Sequence, residues 1–294
     1  MSRRVLNLTG RELASMGAKD FKEAVKASEG RVVAAEVVVT ASPLVDGVSN
    51  VEIASRFGAD VLILNMYDVL NPAVAGVPSE YASIRGIAEF TGRFIGNNLE
   101  PVDEGLIPEG RRLTKVSVIR SMELGSRLVV VTGNPGLGVT WGRIAAGVRE
   151  AVDVAGGRAL VFGGKMHSGG LRVEKMYELP LIEEVLAAGA DGVLVPAPFT
   201  VPGATPEAVE SVVSLASRYD ALVMCTIGTS QEGSQREVVR SIALHSKACG
   251  CDIHHIGDSG YSMGVAVPEN ILELSLAVRG VRHTYKRISM SSLR

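Results

Sequence analysis

Cysteine, aromatic side chains and long apolar runs are all scarce in this chain. Three cysteines in 294 residues are few and odd in number. That argues against a disulfide framework and for a reducing, cytoplasmic compartment. No uncharged apolar run approaches the roughly 20 residues needed to cross a bilayer, so no membrane partner is expected. The opening Met1-Ser2-Arg3-Arg4 leads only into Val5-Leu6-Asn7-Leu8, which is too short for the apolar core of a secretory signal. Aromatics make up 4% of the residues, the lysines and arginines are scattered, and the formal net charge is -2. A basic, aromatic-lined surface for nucleic acid is therefore excluded. What remains is 46% hydrophobic and 21% charged, the profile of a globular α/β protein.

A pattern recurs with a period of roughly 31 residues. A short run rich in Val and Leu comes first, then a Gly/Ser/Asn-rich stretch, then a helical pattern. Strands are predicted at about 32–40, 60–66, 92–97, 127–132, 158–163, 191–196, 221–227 and 251–257. The runs are apolar on both parities, as in Val61-Leu62-Ile63-Leu64 and Leu128-Val129-Val130-Val131. A parallel sheet covered on both faces requires such strands. Eight evenly spaced β-then-α units predict a closed (β/α)8 barrel, a TIM barrel, over an open doubly wound sheet. No gap admits a second domain, so residues 1–294 are read as one.

The junctions between units carry the same device several times. Phe57-Gly58-Ala59-Asp60, Ala188-Gly189-Ala190-Asp191 and Cys249-Gly250-Cys251-Asp252 each place a left-handed glycine at a helix end, just before a strand. Thr9 with Glu12 and Ser49 with Glu52 fit the capping box. Pro206 and Pro268 mark first helical positions. Residues 1–30 read as a helical extension closing the bottom of the barrel. Residues 281–294 read as a basic tail that packs outside or frays.

The fold dictates where chemistry belongs, because barrel active sites form at the C-terminal ends of the strands. Strand seven ends in Ile227-Gly228-Thr229-Ser230 and strand eight in Ile256-Gly257-Asp258-Ser259-Gly260. Glycine-rich loops at these two positions bind phosphate in many barrels, through backbone N–H groups. Gly228, Thr229, Ser230, Gly257, Asp258, Ser259 and Gly260 are the expected anion site. Of eight lysines, only Lys165 directly follows a strand's C-terminal end. A lysine there can form a Schiff base or hold an anion as a point charge. His167 suits acid–base work near neutral pH, and the glycines around it, including Gly169-Gly170, suggest a flap. Glu36 sits inside an otherwise apolar strand and must be paired or at work in a site. Asn65 and Glu100 close strands two and three. Glu36, Glu100 and Asp258 could together hold a divalent cation, the one cofactor the residues suggest.

Cys249, Cys251, His254 and His255 are too spread along strand eight for a zinc site, and adjacent histidines point to opposite faces. His255 is the preferred inward-facing residue. The loop Gly133-Asn134-Pro135-Gly136-Leu137-Gly138 is not a Walker motif, since no Gly-Lys-Ser/Thr ends it.

The segments Ile227-Gly228-Thr229-Ser230-Gln231-Glu232-Gly233, Cys251-Asp252-Ile253-His254-His255-Ile256-Gly257-Asp258-Ser259-Gly260-Tyr261 and Pro268-Glu269-Asn270-Ile271 resemble an uncharacterised bacterial family of predicted TIM barrels. Members carry haloacid dehalogenase-like or phosphonomutase-like labels. The chain contains neither the Asp-x-Asp motif of the former nor the Glu-Asp-Lys loop of the latter. The resemblance therefore implies a barrel and functional loops after strands seven and eight, and no reaction. Residues 189–198 are also similar to one strand of the dihydrodipicolinate synthase-type aldolases.

Three readings follow. The first is a lyase, aldolase or isomerase acting on a phosphorylated or carboxylated small molecule. Lys165, His167 and His255 would handle protons or the carbonyl, with Glu36, Asn65 and Glu100 orienting the substrate. The second is a metal-dependent lyase or hydrolase, and the third a catalytically silent, ligand- or partner-binding barrel. Packing of barrel helices makes a homo-oligomer the expected state.

Overall fold

The computed structural model describes residues 3–168 and 175–290. After a single 3-10 turn, Val5–Asn7, come α1 (Gly10–Ser15) and α2 (Ala18–Lys26). Eight βα units then follow in order: β1 (Val32–Val38) and α3 (Asn50–Arg56), β2 (Val61–Asn65) and α4 (Ile84–Thr91), β3 (Phe94–Leu99) and α5 (Lys115–Glu123), β4 (Leu128–Val131) and α6 (Trp141–Ala155). The second half adds β5 (Leu160–Gly164) and α7 (Leu179–Ala187), β6 (Gly192–Pro196) and α8 (Pro206–Ser217), β7 (Leu222–Ile227) and α9 (Arg236–Ala248), β8 (Ile253–Ile256) and α10 (Pro268–Ile288). All neighbouring strands are parallel, and β8 pairs back onto β1 to close the barrel.

Strand parity divides the core in two. Val33, Ala35, Leu62, Leu64, Val129, Val131 and Val193 face the helix layer, where they pack with Ile87, Val148 and Val185. Val32, Val61, Ile63, Phe94, Val130, Phe162 and Met224 fill the barrel interior. This is why the strands read as apolar on both parities. The lower end of the interior is plugged by α2. Phe21 is fully buried and stacks on Phe94 with ring centroids 3.7 Å apart. The capping boxes Thr9–Glu12 and Ser49–Glu52 are both formed.

The aspartates that open three strands have a further role. Asp60, Asp191 and Asp252 accept the backbone N–H of Val33, Val161 and Val223 on the preceding strands, at 2.9, 3.1 and 2.8 Å. Each laces one strand entry to the next.

Of the two alternatives for the C-terminal segment, its described part packs and does not fray: it continues α10 past a break at Gly280 (φ 73°). Arg287 is buried, pairs with Asp60 at 2.7 Å and donates to Val5 O at 2.8 Å. Arg279 pairs with the same carboxylate at 2.5 Å. Such buried charges are retained because they are mutually neutralised. The expectation for cysteine needs correction. Cys225 and Cys251 form a disulfide, Cα atoms 6.0 Å apart, and Cys249 remains a buried thiol. An odd count leaves room for one pair, and parity turns Cys225 into the sheet–helix layer beside the entry of β8.

No helix among the described residues is long and apolar enough to cross a membrane.

Candidate active site

The strand ends build a polar mouth above the apolar plug. A cleft of about 580 Å³ is lined by Glu36, Asn65, Asn134, His167, Gly228, Thr229, Ser230, Glu232, Gly257, Asp258 and Ser259, among others. Every strand-end residue that parity turns inward here is polar or glycine, except Val38 and Pro196.

His255 faces the interior, and its Nε2 lies 2.9 Å from Glu36 Oε2. The other Glu36 oxygen accepts from Asn98 Nδ2 at 2.7 Å. Glu36 and His255 are almost completely buried, so each answers the other's desolvation. His254 points the opposite way, to Gly30 O at 3.0 Å, and burial drives its pKa down to about 4.

Asn65 donates to Asp258 Oδ2 at 2.8 Å and exchanges bonds with Asn134 at 3.1 Å. Glu100 is held outside this group: Arg111 donates to it at 2.8 Å and the Asn134 backbone N–H at 3.0 Å. Glu36, Glu100 and Asp258 are thus tied to different partners. No cluster of three or more His, Cys, Asp or Glu side chains with metal-holding geometry occurs among the described residues.

Lys165 extends the ladder of β5, its N–H reaching Leu194 O at 3.3 Å. Gly164 before it admits no side chain, because a Cβ would stand 2.1 Å from that same oxygen. The lysine is 5% exposed and lines a narrow cleft with His167, Asn134 and Gly133, Gly136 and Gly138 of the β4 loop. His167 has its pKa lowered, first by burial and then by Lys165. Gly169 and Gly170, the far side of the expected flap, lie outside the described residues.

The loops after β7 and β8 hold carboxylates at their centre. Glu232 is 4% exposed. Burial pushes its pKa up to about 7; the Glu232 and Ser230 backbone N–H groups offset part of the rise and Asp258 adds to it. Asp258 is itself raised, first by burial and then by Glu36. The Gly260 N–H is used by Val265 O at 3.0 Å and the Gly257 N–H by Ile227 O at 2.7 Å. This end of the mouth is acidic, which opposes a phosphate where the sequence pattern places one. Gly228 has open space where a Cβ would sit, so packing does not demand glycine there.

Backbone strain gathers at the same end. Met66, Phe199, Thr229 and Ser230 follow strands β2, β6 and β7 with φ of 59°, 72°, 55° and 81°. Positive φ is costly for a β-branched residue such as Thr229, and such residues cluster at functional sites. The Thr229 hydroxyl lies 2.6 Å from Thr200 O, which ties the β6 and β7 loops together.

Sequence reasoning missed Glu232, Asn98 and Asn134. Asn98 was findable from parity, two residues before the chosen Glu100 on one face of β3. Glu232 gave no local signal, because only the 3-10 turn at Gln231–Gly233 folds it back over Gly257.

These features define a (β/α)8 barrel with a buried, ionisable site in its C-terminal mouth. The chain belongs to the family described as Domain of unknown function (DUF7916), whose model matches residues 6–294. No curated protein matches it. Among solved structures it is similar to an archaeal fructose 1,6-bisphosphate aldolase, with 15% identity and a TM-score of 0.52, over 88% of this chain and 96% of that one. A putative lyase/mutase from Burkholderia cenocepacia J2315 aligns at 14% identity and a TM-score of 0.52, over 84% and 82%. The carboxyl transferase domain of Rhizobium etli pyruvate carboxylase aligns at 16% identity and a TM-score of 0.53, over 96% of this chain and 52% of that one. At such identities the likeness shows the fold.

Proposed function

We propose that the protein is a lyase-type enzyme that moves a proton next to a carbonyl in a small carboxylated metabolite. The observation that carries this reading is Glu232. Pairing accounts for Glu36 with His255 and for Glu100 with Arg111, so those residues fit a silent barrel equally well. Glu232 is different: it is buried on the cleft, its Oε2 lacks a hydrogen-bond partner among the described residues, and its pKa is raised to about 7. A carboxyl poised near neutrality is suited to take and return a proton.

In this reading Lys165 holds the substrate's carboxylate or carbonyl oxygen against the β4 loop glycines. Glu232, with Asp258 beside it, handles the proton. His167 is the second acid–base group, and the Glu36–His255–Asn98 set fixes the floor. The anion is placed toward β4 and β5 rather than at the β7 and β8 loops, because Lys165 lines the cleft there while Glu36, Glu232 and Asp258 line the mouth at β1, β7 and β8. Lyase and aldolase names among the structural neighbours agree with this chemistry by analogy.

The test needs no knowledge of the complete reaction. Three- to six-carbon keto and amino acids are incubated with the protein in D2O, and loss of the C–H signal next to the carbonyl or carboxylate is followed by NMR. The wild type exchanges at least one substrate, and Glu232→Gln slows it by about 100-fold or more, the usual weight of a general base. Exchange at the buffer rate for every compound, or full activity in Glu232→Gln, overturns the reading.

A further inference from the structure

We infer that the substrate carries a protonated amine, seated beside Glu232 and Asp258 at the β7–β8 side of the mouth. The inference rests on the proposed function and names the substrate class for the same site.

The wall is acidic and short of donors. Glu36, Glu232 and Asp258 all line the cleft. One acceptor atom on this side, Glu232 Oε2, lacks a partner among the described residues. Glu232 is 4% exposed. The donors nearby are already engaged, Asn98 Nδ2 by Glu36 and Asn65 Nδ2 by Asp258 and Asn134. A buried acceptor left without a donor is costly. A hydroxyl or carbonyl brings lone pairs to a wall that has a surplus of them. An ammonium group brings three donors, no acceptor and a positive charge, so it supplies the donor that Glu232 Oε2 lacks and neutralises neighbouring carboxylates in one placement. Lys165 lines the adjoining narrow cleft, which shares His167 and Asn134 with the mouth, so a zwitterion would lie with its amine toward β7 and β8 and its carboxylate toward β5.

The test is calorimetric titration of the full chain with matched amino, hydroxy and keto acids of three to six carbons. An amino compound binds at least tenfold tighter than its hydroxy and keto analogues. Asp258→Asn and Glu232→Gln, each checked for a native circular dichroism spectrum, reduce that preference to less than threefold. The wild-type comparison stands even where a variant fails to fold. Hydroxy or keto acids that bind as well as amino acids overturn this inference and leave the proposed function intact. A preference that survives both substitutions also overturns it. If no series binds at all, the proposed function falls with it.

Discussion

A carboxylate moved from water into the wall of a barrel resists ionisation, and Glu232 shows this at the mouth. Its pKa is about 7 in the folded chain against an ordinary 4.5. Between those values the native state holds the proton that the unfolded chain has lost. Stability therefore falls as pH rises from about 4.5 to about 7 and stays lower above. Glu232→Gln removes that slope. The variant is expected to be more stable than wild type at pH 8 by about 3 kcal/mol, an order-of-magnitude figure from the shift, and to lose the advantage near pH 4.5. Urea unfolding at the two pH values checks this. Asp258, whose own pKa is raised, and the Glu36–His255 pair face the same mouth, so the difference between variant and wild type is the quantity to compare. His254 works in the opposite sense. Its pKa is depressed to about 4 by burial, so its contribution is present above about 6.5 and is lost as pH falls toward 4. His254→Gln flattens the acid side of the profile, and a profile as steep as wild type's contradicts that assignment.

Elements set where these residues stand. α2 supplies the plug on which the inner core rests, through Phe21 on Phe94. Phe21→Ala is expected to cost about 3–5 kcal/mol, the range for large-to-small changes at fully buried aromatics. Denaturant unfolding measures it, and a cost below about 1 kcal/mol would show that the extension does not close the barrel. The strands were legible because a two-sided cover forces apolar residues onto both parities. The glycine–aspartate junctions were legible because a left-handed helix end favours glycine. The positions of Glu36, Asn65 and Lys165 at the mouth followed from strand ends alone. What could not be read was which carboxylates share partners. Glu100 sits on the inward parity of β3, yet Arg111, eleven residues on, holds it aside. Glu232 enters the site through the left-handed pair Thr229–Ser230 and the 3-10 turn that follows it, a backbone path that side-chain pattern does not encode. The packing of the tail was one of its two expected outcomes, but its anchor was not legible, because Asp60 buries the charges of Arg279 and Arg287 from a distant part of the chain.

At the scale of the whole molecule, the Cys225–Cys251 disulfide spans 26 residues and joins β7 to the entry of β8. Denatured without reductant, the protein should show one titratable thiol, that of Cys249, and three after reduction. Loop closure of this length contributes about 3 kcal/mol in the chain-entropy account, so reduction should lower the denaturation midpoint. Three thiols before reduction would contradict the pairing. The central claim concerns polarity across the mouth, with a cation at β5 and acids at β7 and β8, and thermal unfolding with small carboxylates and with inorganic phosphate tests it most directly. A ligand at 100 times its Kd adds about 2.7 kcal/mol, or about 5 °C or more for a chain near this size. The account predicts such a rise with a three- to six-carbon carboxylate, its loss in Lys165→Met, and no comparable rise with phosphate. Stabilisation by phosphate that persists in Lys165→Met, or no carboxylate effect at all, would contradict it.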